Sequence, residues 1–135
     1  KENGIPVDAL DNGKHKILVV DDDPEIVELF VDVLERDGRF EVKTATTGYD
    51  AGVITHEFMP DLILLDYMLP DVNGNVVCRT IRSNPQFEHI RIVVVSGVVN
   101  QEDVNELLKA GADEFVKKPF NIEKLVDRIT ELLNV

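Results

Sequence analysis

The residues of this chain whose types could do chemistry are the acidic doublet Asp21-Asp22, then Asp66 and Ser96, each directly after an apolar run, and Lys118, two residues after the Phe115-Val116 pair. Three carboxylates brought together repel one another unless a cation lies among them, and an all-oxygen donor set favours a hard divalent ion. Mg²⁺ is the natural occupant, because it keeps several waters and takes one or two carboxylates together with a phosphate oxygen. Beside such an ion an aspartate oxygen can attack a phosphorus centre and form an aspartyl phosphate. Lys118 would then offer a mobile point charge to the phosphoryl oxygens, and Ser96 a hydroxyl donor. Taken singly, each residue has a plainer reading: an acidic doublet is usually a solvated loop end, and a lone serine or lysine is usually solvated too. What decides between the readings is whether the elements bring the five together.

Candidate strands fall at 16–20, 40–44, 62–65, 92–95 and 114–116. The first, third and fourth lack polar alternation, as a parallel strand covered by helices on both faces should. Asp23 followed by Pro24 marks a helix start, and Val27, Phe30, Val31 and Leu34 keep helical spacing up to Gly38. Asn100, with Asp103 three residues on, opens a second helix that stops at Gly111. Asn121 caps a third, carrying Ile122, Leu125 and Ile129; weaker patterns fit 49–56 and 75–82. Five βα units joined by right-handed crossovers predict a three-layer α/β sandwich around a parallel sheet. In that arrangement every one of the five chemical residues lies at a strand's C-terminal end. Those ends form a single edge, and open α/β sheets bind ligands there.

At 135 residues and 44% hydrophobic composition the chain has the length and core of one domain, read here as residues 15–135 after a linker or tail at 1–14. A formal charge of −12 repels phosphate backbones, so direct nucleic-acid binding by this domain is not expected. The one cysteine, Cys78, cannot form an internal disulfide, and no apolar run approaches the ~20 residues that span a bilayer, which points to a reducing compartment, the cytoplasm. No export leader opens the sequence, and its first residue, Lys1, reads as a cut from a longer protein. Cys78 reads as a small buried hydrophobe. His15, His56 and His89 show no metal-ligand spacing, and no phosphate-cradling glycine-rich loop is present.

Four stretches carry a resemblance: Leu18-Val19-Val20-Asp21-Asp22-Asp23, Asp66-Tyr67-Met68-Leu69-Pro70-Asp71-Val72-Asn73-Gly74, Val95-Ser96-Gly97, and Ala110-Gly111-Ala112-Asp113 continuing to Lys117-Lys118-Pro119-Phe120. With them, residues 16–134 resemble the receiver family of two-component signalling. The resemblance implies a flavodoxin-like sheet of order 2-1-3-4-5. It implies Asp66 as phosphoacceptor, Asp22 as direct Mg²⁺ ligand with Asp21 acting partly through water, and the Met68 backbone carbonyl as a further ligand. Lys118 matches the phosphate-binding lysine, in a cis bond to Pro119, and Ser96 the conformational hydroxyl. Phe115 stands where many receivers carry a rotating tyrosine, so its switch should work by packing without a hydroxyl contact.

The implied role is phosphorelay. A sensor histidine kinase or phosphotransfer protein would load Asp66, and an output domain or partner would read the helix between Asn100 and Ala110, the Phe115 strand and the last helix, with dimerisation on activation. The chain would catalyse only its own phosphorylation and dephosphorylation, and would not be an enzyme in the usual sense. Met68 and Val98, flanking the phosphoryl group, have apolar side chains that cannot orient a hydrolytic water, which favours slow dephosphorylation. Three rivals are less well supported. A haloacid-dehalogenase-type phosphatase needs a second aspartate where Met68 stands. A flavodoxin-like carrier would place acidic residues against the flavin phosphate. An unphosphorylated interaction module would not need Asp22, Asp66 and Lys118.

Overall fold

The computed structural model describes residues 13–97 and 100–135. Twelve of the fourteen positions read as a tail, and Val98, therefore lie outside the described residues. The described elements run β1 (His15–Val20), α1 (Pro24–Asp37), β2 (Phe40–Ala45), α2 (Gly48–Phe58), β3 (Leu62–Leu65), α3 (Gly74–Arg82), β4 (Arg91–Ser96), α4 (Gln101–Lys109), β5 (Glu114–Lys117) and α5 (Ile122–Leu133), with a 3₁₀ turn at Pro85–Phe87. The strands pair in parallel in the order β2-β1-β3-β4-β5, as the resemblance implied.

Successive side chains of a strand point to opposite faces, and here both faces are buried. Leu18, Val20, Ile63, Leu65, Ile92 and Val94 enter one apolar layer with Ala51, Val77, Cys78, Ile81 and Leu107 of α2, α3 and α4. Ile17, Val19, Leu62, Leu64, Val93 and Val95 enter the other, against Phe30 and Leu34 of α1 and Leu125 and Ile129 of α5. The apolar runs lack alternation because each residue has a layer to enter. Burying a side chain of this kind contributes about 1.5–3 kcal/mol before conformational entropy is counted.

The helix ends follow their sequence signals. Asp23 accepts from the Glu25 N–H at 3.0 Å, Pro24 occupies the first turn, and Gly38 closes α1 in the left-handed conformation, φ 89°. Asn100 and Asp103 form a reciprocal capping box at the start of α4, and Asn121 caps α5 through the Lys124 N–H. Two helices begin one residue earlier than their patterns suggested, at Gly48 and Gly74, because glycine carries no apolar signal. The 3₁₀ turn was not anticipated; Asn84 caps it and Pro85 opens it.

Two contacts fasten the elements around the sheet. Phe30 of α1 stacks on Phe120, ring centroids 5.4 Å apart, just beyond the cis Lys118–Pro119 bond. At the opposite end, Arg82 donates to the carbonyls of Gly111 at 2.9 Å and Phe87 at 3.1 Å and to the Asp113 carboxylate at 2.9 Å. Asp113 also accepts the Ile92 N–H at 2.8 Å. Gly111 has φ 111°, and a Cβ there would run into the Arg82 side chain.

Candidate functional site

Hydrogen bonds that continue the ladders past the strand ends set the backbone of the site. Asp21 N–H donates to the Ala45 carbonyl at 3.1 Å, Asp66 N–H to Val20 at 2.9 Å, and Lys118 N–H to Ser96 at 3.0 Å. The side chains of these residues are thereby delivered to one edge from β1, β3, β4 and β5. Asp21, Asp66 and Ser96 are buried, at 3%, 8% and 2% exposure, while Asp22 is exposed. Ser96 is the last residue of β4 and not, as read from sequence, the first one after it.

Carboxylate oxygens of Asp21, Asp22 and Asp66 all lie within 4.8 Å of one another. Two oxygens in the octahedral shell of one Mg²⁺ stand about 2.9 to 4.2 Å apart, given metal–oxygen bonds of 2.0–2.1 Å, so the cluster fits a single small hard cation. Lys118 Nζ reaches Asp21 Oδ2 at 3.1 Å and Asp66 Oδ2 at 3.7 Å. The lysine is therefore poised over the Asp66 carboxylate and neutralises part of the acidic charge. Burial, the largest effect, pushes the Asp21 carboxyl above the ordinary carboxylate range. The Asp23 N–H, 2.9 Å from Oδ1, opposes that rise; the Asp66 charge adds to it, and Lys118 draws it back. A divalent ion would relieve the same penalty.

The loop between β3 and α3 brings Met68 to this edge. Met68 bridges Asn73 in antiparallel fashion, the Gly74 N–H donates to the Tyr67 carbonyl at 2.6 Å, and Leu69 is buried in the layer beneath α3. The bridge holds the Met68 backbone, whose carbonyl the resemblance assigns to the metal; its side chain is 52% exposed. Gly74 is required by this closure, since a Cβ would come within 2.9 Å of the Asp66 carbonyl. Phe115, half-buried on β5, pairs with Val94 and packs in the layer that α2, α3 and α4 cover. Val94 and Ser96 share a face of β4, so Ser96 and Phe115 stand on the same side of the sheet. Among the described residues the Ser96 hydroxyl has no hydrogen-bond partner.

Sequence reading gave no role to Asp71 beyond its place in a motif. Its carboxylate accepts the Gly48 N–H at 2.8 Å and the Tyr49 N–H at 3.0 Å, both from the first turn of α2. Its partners lie 22 and 23 positions away, so periodicity could not reveal it. The only local signal was an acidic residue directly after Pro70 in the acceptor loop.

Comparison with known proteins agrees with this geometry. Residues 17–130 match the family model described as the response regulator receiver domain. The chain is 39% identical over 120 residues to the DNA-binding response regulator MtrA of Mycolicibacterium smegmatis, covering 89% of this chain and 51% of that protein. It is 36% identical over 118 residues to the phosphate regulon transcriptional regulatory protein PhoB of Rhizobium meliloti, covering 87% and 52%. The chain thus spans about half the length of the curated relatives it matches. Among solved structures, the BeF₃-activated DrrB receiver domain superposes with a TM-score of 0.79 at 34% identity, covering 90% of this chain and 99% of the other. A response regulator of Chloroflexus aurantiacus gives a TM-score of 0.83 at 29% identity, covering 90% and 99%. With sheet order, acidic edge and family match in agreement, the chain belongs to the response regulator receiver domain family and is a receiver domain of two-component signal transduction.

Proposed function

We propose that this domain is a Mg²⁺-dependent phosphoryl acceptor that takes its phosphoryl group on Asp66 from a phosphohistidine of a sensor histidine kinase or phosphotransfer protein. The observation that carries the reading is Lys118 Nζ lying 3.1 Å from Asp21 and 3.7 Å from Asp66, at an edge where three carboxylates converge. In the transfer an Asp66 oxygen forms a bond to phosphorus, the phosphorus–nitrogen bond of the donor breaks, and its electron pair returns to the imidazole. Asp21, Asp22, Asp66 and the Met68 carbonyl would hold Mg²⁺, which when bound neutralises charge on the carboxylates and the transferring group. Lys118 holds a phosphoryl oxygen as a point charge, and the buried Ser96 hydroxyl donates to another.

The switch runs from that hydroxyl. Ser96 closing on the phosphoryl group vacates space on the face it shares with Phe115, and the aromatic ring follows, altering α4, β5 and α5. That surface is the one we assign to an output domain or partner, with an activation-dependent dimer as one form of response. MtrA and PhoB are described as DNA-binding and transcriptional regulators, so a DNA-binding output in the whole protein fits, separate from this acidic domain. A cytoplasmic site suits a partner kinase, and no helix among the described residues is long and apolar enough to cross a membrane. The domain turns over only its own acyl phosphate and is not an enzyme acting on a separate substrate.

The test is intact-mass measurement after incubation with a small phosphodonor and Mg²⁺. One phosphoryl group is expected on the wild type, none on Asp66→Asn, and none in the presence of a chelator. Labelling that survives either change sinks the assignment.

A further inference from the structure

The β3–α3 loop must hold the Met68 backbone still if its carbonyl is to serve a metal, and the structure shows how it is held. At its base the loop is closed by the Met68–Asn73 bridge and the Gly74–Tyr67 hydrogen bond. Beneath, Leu69 is buried. At its tip, Asp71 reaches across to another element, with Oδ1 on the Gly48 N–H at 2.8 Å and Oδ2 on the Tyr49 N–H at 3.0 Å. Its Oδ1 also accepts its neighbour's Val72 N–H at 3.0 Å. These are the first two amides of α2; the third, Asp50 N–H, is already taken by the Thr47 hydroxyl at 3.0 Å. Free amides at a helix start favour a carboxylate, both by hydrogen bonding and by the helix dipole. Val72 packs so closely on Gly48 that a Cβ at Gly48 would overlap its side chain.

We propose that Asp71 is a positioning residue for the metal site: by clipping the tip of the acceptor loop to the N-terminus of α2, it fixes the backbone of Met68, three residues before it. The proposal rests on the reading of this edge as a Mg²⁺-dependent acceptor. Asp71 is exposed, so water competes for its bonds and their effect on global stability is small. Their effect on placement is larger, because partners that orient a metal ligand commonly alter affinity about 10- to 100-fold when lost.

Two measurements on the full chain test this. Calorimetric titration with Mg²⁺ should give Asp71→Ala an affinity about tenfold weaker than wild type, with Asp71→Asn, which keeps one acceptor oxygen, in between. In metal-free protein, amide exchange over residues 67–74 should be faster in Asp71→Ala. Gly48→Ala, which pushes Val72 from the α2 side and leaves the carboxylate intact, should weaken Mg²⁺ binding in the same direction. Asp113→Ala serves as control: it breaks a carboxylate network at the far end of the sheet, and should lower stability without changing Mg²⁺ affinity. If wild type binds Mg²⁺ and Asp71→Ala binds it equally well with unchanged exchange, this proposal falls alone. If wild type does not bind Mg²⁺, the acceptor reading falls and the proposal with it.

Discussion

Asp21 bears the electrostatic cost of the site. Its carboxyl is raised above the ordinary carboxylate range, chiefly by burial, so the folded chain binds its proton more tightly than the unfolded chain does. Stability from this group is fully present below the ordinary carboxylate value and is lost as pH rises through the elevated one. A divalent ion beside the carboxylate offsets that loss. Thermal melts with and without Mg²⁺ should therefore show a larger Mg²⁺-induced rise in Tm at neutral pH than near pH 4; an equal rise at both would contradict the account. On the proposed acceptor reading, Met68 bears on a different property. Its side chain offers no hydrogen bond to an attacking water, so Met68→Asn should shorten the life of the acyl phosphate, read by loading Asp66, removing the donor and following decay. Cys78 was read as a buried hydrophobe, and it is fully buried on α3 with its thiol pushed up to about 12 by burial. The convergence of Asp21, Asp66, Ser96 and Lys118 on one sheet edge was legible because each ends or directly follows a strand. Asp71 was not, because its partners belong to a helix that only the fold brings near.

The sequence marks the helices through their caps more clearly than through their stripes. Asn100 and Asp103 announced α4, and the structure closes the box with bonds of 2.9 and 3.4 Å. Asn100→Ala should cost about 1 kcal/mol, measured by denaturant unfolding, with faster amide exchange at the start of α4. Gly111 lies at the other end of this helix. Ala at this position must adopt φ 111° and displace Arg82, so Gly111→Ala should destabilise by more than about 1 kcal/mol. A stability equal to wild type would show that the Arg82 clamp is slack. What hid this clamp from sequence reading is its composition: one arginine, two carbonyls and an aspartate drawn from three separate segments. The bounds of α2 and α3 were blurred for a local reason, since Gly48 and Gly74 read as turn residues while their backbones are already helical.

Over the whole molecule, the parallel sheet could be read from five candidate strands, three of them unbroken by polar alternation, whereas its strand order came from resemblance, because alternating patterns fix faces and not neighbours. The formal charge of −12 has a consequence for stability as well as for partners, since like charges repel in the compact state. Salt should raise Tm by screening, and Mg²⁺ should raise it further at matched ionic strength, because on the proposed reading Mg²⁺ is held at a site and the salt cation only near the surface.

The position of Tyr67 makes that last difference visible without a label. The chain has no tryptophan and two tyrosines, so its emission comes from Tyr49, which is 75% exposed, and Tyr67, which is half-buried and adjoins Asp66. Replacing Tyr49 with Phe would leave a single tyrosine fluorophore, one residue along the chain from Asp66, the proposed acceptor. Its lifetime and quenching then become an internal optical readout, able to time the arrival of the ion and of the phosphoryl group separately on one unmodified site.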